Sequence, residues 1–512
     1  MKGFPTIKGF PTILAATLLM HPLAGHAGGR SCESLRSLKL PDTTILDARP
    51  IAAGLFKTPI PIPGAPEVPN MLPAHCRLTA AIRPTPDSDI RIEVWLPTEH
   101  WNHRYQQVGN GGLAGSIFYL SLVDALQRGS AAASTDDGHA STAPFDSGWA
   151  VGHPEKLIDY GYRAVHLTAL VATTVVSEYY GQKPDHAYFT GCSDGGRESL
   201  MEAQRFPLDF DGYLVGAPGI DIPGNAVRGV HEYQALHSLA AQPLTMKQLQ
   251  ALQSRVLARC DRLDGVRDGV LRDPRLCPFK AREMICEGAL NETCLTAAQA
   301  VAVQRIYTPN VRALLTDANQ GVIGTLLYDK PDLDMATVDV AKAASDVKDR
   351  LDPLMNSDNP DLGAARRGGR KILHYHGWAD PNIPPGYSLS YYESVTRTLG
   401  ADVGDFYRLF MVPGMAHCGG GVGPTTVGIP RDPQHDWQSA LEQWVERGVA
   451  PESITMTEFA LSQPPLPGQA VPPGTRVKST RPVCTYPRVA NYTGTGLITD
   501  AANFRCELPP TP

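Results

Sequence analysis

Apolar and polar residues alternate along Ile90-Arg91-Ile92-Glu93-Val94-Trp95-Leu96, the period of a half-buried β-strand. Tyr105-Gln106-Gln107-Val108 reads as a second strand. It runs into Gly109-Asn110-Gly111-Gly112, a loop whose glycines let backbone N–H groups approach a ligand closely. The period then changes: Ala164, Leu167, Leu170, Val171 and Val175 share one face of a helix over 162–180. Ala187 to Thr190 reads as strand, Glu198 to Arg205 as helix and Tyr213 to Gly216 as strand. This succession predicts an α/β fold with a mainly parallel sheet.

Strand signals fade from residue 222 to 365, and helix signals replace them. Leu249, Leu252 and Val256 fall at helical spacing within Thr245–Leu257, where Thr245 and Gln248 are placed as a capping box. Thr296 and Gln299 repeat the device before Val303 and Ile306. The sheet resumes at Lys371 to His376 and again at Phe406 to Val412. The chain has 512 residues, more than one compact core usually holds. The pattern therefore divides it into a first part of the α/β domain at 28–221, a mostly helical inserted lid domain at 222–365, and the second part of the α/β domain at 366–512.

Residues 1–27 read as an export signal. Lys2 and Lys8 supply positive charge, Ile13 to Met20 form a short apolar run, and Gly25 and Ala27 suit cleavage after Ala27. The run is shorter than the roughly 20 residues a bilayer span needs, so the expectation is a secreted or periplasmic protein with no membrane span after signal removal. Ten cysteines in an exported chain imply disulfides. Proximity suggests Cys260 with Cys277, Cys286 with Cys294 and Cys484 with Cys506, leaving Cys32, Cys76, Cys192 and Cys418. The net charge is −6 and no basic run interrupts it, which argues against a nucleic-acid partner.

Candidate chemistry begins at Gly191-Cys192-Ser193-Asp194-Gly195, a G-x-S-x-G motif between a predicted strand and a predicted helix, as a nucleophile elbow requires. A serine hydroxyl needs a base, and the base an orienting acid. In the α/β-hydrolase fold the order is Ser, acid, His. Asp380 follows strand 371–376, and no other acid occurs in its loop. His417 follows strand 406–412. His374 and His376 alternate on a strand and read as sheet residues, while His166 and His186 precede the serine and break the order. The oxyanion donors are expected at the N–H of Asp194 and at one of Gly111 and Gly112, with the choice between the glycines open.

These residues carry a resemblance. Gly191-Cys192-Ser193-Asp194-Gly195-Gly196-Arg197, taken with Gly414-Met415-Ala416-His417-Cys418, closely resembles the tannase and feruloyl esterase family. Its bacterial members include the enzyme that hydrolyses mono(2-hydroxyethyl) terephthalate. The resemblance runs from about Cys32 to Cys506. It implies a Cys192–Cys418 disulfide beside the triad and a Cys32–Cys76 pair, and it agrees with the three local pairs. It also implies a structural Ca²⁺ in the lid, held by Asp261, Asp264 and Asp268 and the carbonyls of Val266 and Val270. These hard oxygen donors suit that ion. No organic cofactor is implied. The small-molecule substrate would be an ester of an aromatic acid (feruloyl, galloyl or terephthaloyl), cleaved by Ser193, His417 and Asp380 through an acyl-enzyme. Asp194 departs from the family in placing an acid immediately after the nucleophile, where its charge is expected to alter binding near the oxyanion. Two other readings stay open: a broad carboxylesterase on simple esters, and a non-catalytic secreted binding protein on a hydrolase fold. A binding role alone would not need all three triad residues.

Overall fold

A computed structural model describes residues 28–57, 70–141, 143–307, 319–400, 402–461, 471–472 and 474–509. The export signal expected at 1–27 lies outside the described residues. Nine strands form the central sheet: β1 (Thr43–Ile51), β2 (His75–Ile82), β3 (Ile90–Pro97), β4 (Arg104–Val108), β5 (Ala131–Thr135), β6 (His186–Cys192), β7 (Gly212–Gly216), β8 (Lys371–Gly377) and β9 (Tyr407–Val412). Their order is β1-β2-β3-β5-β4-β6-β7-β8-β9. Pairing is antiparallel from β1 through β5 and parallel from β5 to β9. This is the α/β-hydrolase arrangement expected from the sequence, with ligand chemistry at the carboxyl ends of the parallel strands.

The flanking helices are α1 (Tyr119–Gln127), α2 (Ala164–Tyr180), α3 (Asp194–Arg205), α8 (Pro385–Leu399) and α9 (Trp437–Arg447); α4 to α7 belong to the insertion. They cover both sheet faces, which corrects one expectation. β3 is not half-buried. Ile90, Ile92, Val94 and Leu96 pack toward α2, and Trp95 packs toward Leu122 and Val123 of α1. Glu93, read as a solvent-facing polar position, is only 5% exposed. It is tolerated because Arg77 Nε (2.9 Å), Trp95 Nε1 (2.8 Å) and the Tyr119 hydroxyl (2.9 Å) all donate to it. A second correction concerns α2. Ala164, Val171 and Val175 are buried, but Leu170 is 49% exposed. The buried stripe runs instead through Val165, Thr168, Ala172 and Val176.

The insertion leaves the sheet after β7 and returns at β8. Its described part contains α4 (Ile222–His237), α5 (Met246–Cys260), α6 (Ala297–Tyr307) and α7 (Val340–Arg350), and no strand among the described residues. Asp221 caps α4 by accepting the Gly224 N–H at 2.8 Å. Both capping boxes form, at Thr245/Gln248 and at Thr296/Gln299. One core is internal to the insertion: Leu252, Ala281, Met284, Leu295, Ala300 and Val303. A second is shared: Leu113, Ala114 and Tyr160 of the hydrolase domain pack with Val227, Val230, Ile323 and Leu327 of the insertion. Each fully buried aliphatic chain there contributes roughly 1.5–3 kcal/mol, so the insertion is anchored directly over the glycine loop that follows β4. Beyond α9 the chain adds two hairpins, β10 (Ser453–Phe459) with β11 (Val477–Cys484) and β12 (Val489–Tyr492) with β13 (Phe504–Glu507).

All ten cysteines are paired: Cys32–Cys76, Cys192–Cys418, Cys260–Cys277, Cys286–Cys294 and Cys484–Cys506. Each pairing matches the expectation. No helix among the described residues is long and apolar enough to cross a membrane.

Candidate active site

β6 ends at Cys192, and α3 begins at Asp194. Ser193 lies between them at φ +65°, ψ −118°, a backbone region that costs a non-glycine residue about 1–3 kcal/mol. The turn is held by its neighbours. The Ser193 N–H donates to the Gly216 carbonyl (2.9 Å), and the Ser193 carbonyl accepts from Gly219 (3.0 Å). Gly191 is required here: a Cβ on it would lie 2.3 Å from the Gly195 carbonyl oxygen. The sharp turn presents the serine hydroxyl at the carboxyl edge of the sheet.

Asp380 follows β8 and His417 follows β9, so two parallel neighbours deliver both to the same edge. His417 Nε2 is 2.8 Å from Ser193 Oγ, and its Nδ1 is 2.7 Å from Asp380 Oδ2. The carboxylate is buried, and its other oxygen accepts the N–H groups of Asn382 (2.8 Å) and Ile383 (3.0 Å). Burial pushes the Asp380 carboxyl up, but the imidazoles of His376 and His417 outweigh it and hold it well below the usual carboxylate range. Asp380 is therefore an anion at neutral pH, able to fix the His417 tautomer that leaves Nε2 free to accept a proton. The Cys192–Cys418 disulfide joins the residue before the serine to the residue after the histidine.

Both expected oxyanion elements reach this edge. The Asp194 N–H opens α3 and has no protein acceptor among the described residues. The loop after β4 is fixed beside it, because the Asn110 carbonyl accepts the Gly195 N–H at 2.8 Å. Neither Gly111 nor Gly112 donates its N–H to another described protein group. Gly112 has φ +66°, and a Cβ on it would lie 2.1 Å from the Pro144 carbonyl oxygen, so its glycine is a steric requirement.

The Asp194 side chain does not approach the oxyanion position, which corrects the expectation of a charge there. It turns into the core, where Oδ1 accepts from Arg197 Nε (2.5 Å) and the Tyr160 hydroxyl (2.9 Å). Arg197 is fully buried; it also donates to the carbonyls of Gly161 (2.8 Å) and Tyr160 (3.1 Å) and lies over the Tyr160 ring. Beside them sit Asp137 and Glu198, whose carboxylate oxygens lie within 4.8 Å of one another and of Asp194. Burial pushes Asp137 and Glu198 up, helped by neighbouring carboxylate charge, Glu198 to about 7. Both carboxyls are thereby shifted toward their protonated forms. Glu198 accepts the Asn110 N–H (3.0 Å), and Asn110 Nδ2 faces Asp137 at 3.3 Å. This carboxyl pair therefore braces the loop that carries Gly111 and Gly112.

The histidines set aside in the sequence fall in distinct places. His166 Nδ1 bonds Asp209 (2.6 Å), and His186 lies near Asp211. His374 and His376 are on β8 as expected, but His376 Nε2 is also 3.2 Å from Asp380 Oδ2. That contact, the Arg197 pair and the Asp137–Glu198 pair all went unread in the sequence. The one available signal was the i, i+2 spacing of two histidines immediately before the acid.

A family model described as "Tannase and feruloyl esterase" matches residues 76–322 and 311–507. The chain belongs to the tannase and feruloyl esterase family. It is 35% identical to an uncharacterized esterase of Xanthomonas campestris pv. campestris, over 93% of this chain and 91% of that one. It is 30% identical to a probable feruloyl esterase B-2 of Aspergillus terreus, over 84% of this chain and 86% of the relative. In three dimensions it is similar to the crystal structure of feruloyl esterase B from Aspergillus oryzae, with a TM-score of 0.83 and 27% identity, covering 94% of this chain and 100% of that one. Family membership makes this protein a carboxylic ester hydrolase of the feruloyl esterase and tannase type, acting on an ester substrate.

The lid loop expected to hold calcium follows α5. Asp261 is buried and accepts the Gly269 N–H (3.0 Å); Asp264 accepts the Val266 N–H (3.0 Å); Asp268 accepts the Val270 N–H (3.1 Å). Burial pushes the Asp264 carboxyl up, and the charge of Asp268 adds to this. A hard cation would relieve that crowding, so the donor set suits calcium. Among the described residues, however, the three carboxylates do not close into one cluster, and Asp268 Oδ2 is paired with Arg481 at 2.6 Å.

Proposed function

We propose that this esterase cleaves esters of aromatic acids by two-step acyl transfer. His417 takes the Ser193 proton as Oγ attacks the ester carbonyl. The tetrahedral oxyanion is received by the N–H of Asp194 and by one N–H of Gly111 or Gly112. His417 returns the proton to the leaving alcohol, then activates a water that frees the acid and restores Ser193. Asp380 stays ionised throughout and stabilises the His417 imidazolium. The observation that carries this reading is the Ser193–His417–Asp380 geometry, at 2.8 and 2.7 Å. The aromatic acyl group is supported by two similar proteins, a probable feruloyl esterase B-2 and feruloyl esterase B. Five disulfides support action outside the reducing cytosol, in the secreted or periplasmic location read from residues 1–27.

The test is hydrolysis of methyl ferulate, methyl gallate, mono(2-hydroxyethyl) terephthalate and a short aliphatic ester by the oxidised protein, beside Ser193→Ala. Turnover of an aromatic ester that vanishes in Ser193→Ala is the expected result. Turnover of the aliphatic ester alone would replace the substrate reading with a broad carboxylesterase. The proposal includes a structural Ca²⁺ on Asp261, Asp264, Asp268 and the carbonyls of Val266 and Val270, taking no part in the chemistry. Chelation should lower the melting temperature without changing kcat at 25 °C. An unchanged melting temperature would remove the ion from the proposal.

A further inference from the structure

Behind Asp380 lies a buried row of polar side chains that the proposed acyl transfer does not use. The Tyr407 hydroxyl on β9 is 2.7 Å from His374 Nδ1. His374 Nε2 is 2.8 Å from Ser388 Oγ on α8, and Ser388 Oγ is 2.6 Å from His376 Nδ1. His376 Nε2 faces the Ile383 carbonyl at 3.1 Å and Asp380 Oδ2 at 3.2 Å. Tyr407, His374, His376 and Ser388 are all fully buried.

The protons of this row can be assigned. A carbonyl and a carboxylate only accept, so His376 Nε2 carries a hydrogen. A ring protonated only at Nε2 accepts at Nδ1, which takes the single hydroxyl proton of Ser388. Ser388 must in turn accept from His374 Nε2–H, leaving His374 Nδ1 to accept the Tyr407 hydroxyl proton. Burial pushes the Tyr407 phenol up and His374 well down, so the phenol keeps its proton and His374 stays neutral. Each donor therefore points the same way, toward Asp380, and each bond polarises the next.

We propose that His376, backed by Ser388, His374 and Tyr407, is a positioning residue that sets the basicity of Asp380 and, through it, of His417; this rests on the triad reading above. Two effects combine. The Nε2–H fixes the Ile383 carbonyl, and the N–H of the same residue holds Asp380 Oδ1. The same Nε2–H draws on Oδ2, the oxygen that His417 uses. A carboxylate already serving another donor stabilises an imidazolium less, so His417 stays a free base to lower pH. The titratable groups facing this row are His417 from the loop after β9, His374 and His376 from β8, Tyr407 from β9, and Tyr391 and Tyr392 of α8 against the Tyr407 ring; α8 also contributes the Ser388 hydroxyl and the elbow contributes Ser193.

The test is the pH profile of kcat/KM on whichever panel ester the wild type turns over, for His376→Met, His376→Gln, Ser388→Ala and Ser193→Ala. Methionine fills the space without a donor, and the acid limb should move up by about half to one pH unit. Glutamine places an amide N–H near the Nε2 position and should keep the limb within about 0.2 units of wild type. Ser388→Ala should move it the same way as methionine but less, and it serves if His376→Met does not fold. An unmoved limb in both His376→Met and Ser388→Ala, or a glutamine variant no closer to wild type than methionine, would overturn the proposal and leave His376 a packing residue. Full activity in Ser193→Ala would instead defeat the triad reading, so the two failures are read on different variants.

Discussion

Replacing Arg197 with methionine should be among the most damaging single changes outside Ser193, Asp380 and His417. The side chains of Arg197 and Asp194 are 0% and 1% exposed. Burial disfavours the Arg197 charge, but the Asp194 carboxylate outweighs that and keeps it charged. Arg197→Met leaves the Asp194 carboxylate with only the Tyr160 hydroxyl. Stranding one partner of a buried pair costs about 3–5 kcal/mol. The orphaned anion would also sit beside Asp137 and Glu198, which presses toward the upper end. The carbonyls of Gly161 and Tyr160 lose donors as well, but that loss is common to Arg197→Met and to Asp194→Asn/Arg197→Met. A double-mutant cycle therefore isolates the ion pair. The double variant should be more stable than the sum of the two single losses by about 2–3 kcal/mol, because the unpaired charge is gone. The assay is guanidinium unfolding of the four proteins with disulfides intact, followed by fluorescence. Because Asp194 also offers a proposed oxyanion N–H, kcat of Arg197→Met should fall even where it is folded. Arg197→Met within 1 kcal/mol of wild type, or strict additivity in the cycle, would refute the reasoning.

Asp137→Asn tests the buried carboxyl pair. Glu198 is raised to about 7 by burial and neighbouring carboxylates. Its protonated form thus stabilises the fold fully below about 4.5, and that contribution is lost as pH rises through about 7. Asparagine supplies a permanent donor and removes one buried charge, so the melting temperature of the variant should gain on wild type between pH 5 and pH 8; a pH-independent difference would count against the pair. Removing the Cys192–Cys418 disulfide by Cys192→Ala/Cys418→Ala releases a loop of sequence separation 226, worth up to about 5 kcal/mol by loop entropy. Calorimetry should show the loss, and kcat should fall as the Ser193–His417 spacing loosens; unchanged kcat would make the bond only a staple. Gly191→Ala brings a methyl within 2.3 Å of the Gly195 carbonyl oxygen, and should cost at least about 100-fold in kcat by displacing the elbow, measured against a circular-dichroism control for folding.

Ser193, Asp380 and His417, which the structure brings together, could be picked out because three signals coincide on each: a strand before it, a glycine- or alanine-bearing loop around it, and its rank in chain order. β6, β7, β8 and β9 begin or end within a residue or two of their apolar runs. What failed to show was anything resting on distant pairing. Glu93 looks like an exposed strand position until Arg77 is seen beside it, and Glu198 looks like a surface helix residue until Asn110, 88 positions earlier, is found donating to it. The same holds for Arg197, whose acceptors Tyr160 and Gly161 belong to another segment. Buried charge violates the periodicity that makes elements readable, and its partners carry no local signature. The exposed Leu170 errs in the opposite sense: alanines and valines, not the larger leucine, form the buried stripe of α2, because the helix packs closely on the sheet.

The cystine between Cys192 and Cys418 changes what neighbour means in this chain. Along the backbone the serine and the histidine are 224 residues apart; along covalent bonds they are separated only by the two half-cystines. The chain from Asp194 to Ala416, lid included, becomes a closed ring hung from that short bridge. Residues can be added to or taken from the lid without altering the bonded path between Ser193 and His417. The acid, by contrast, is inside the ring and is located only by β8 and the hydrogen bonds around it. Variation in lid length should therefore disturb the Asp380–His417 contact before it disturbs the Ser193–His417 one.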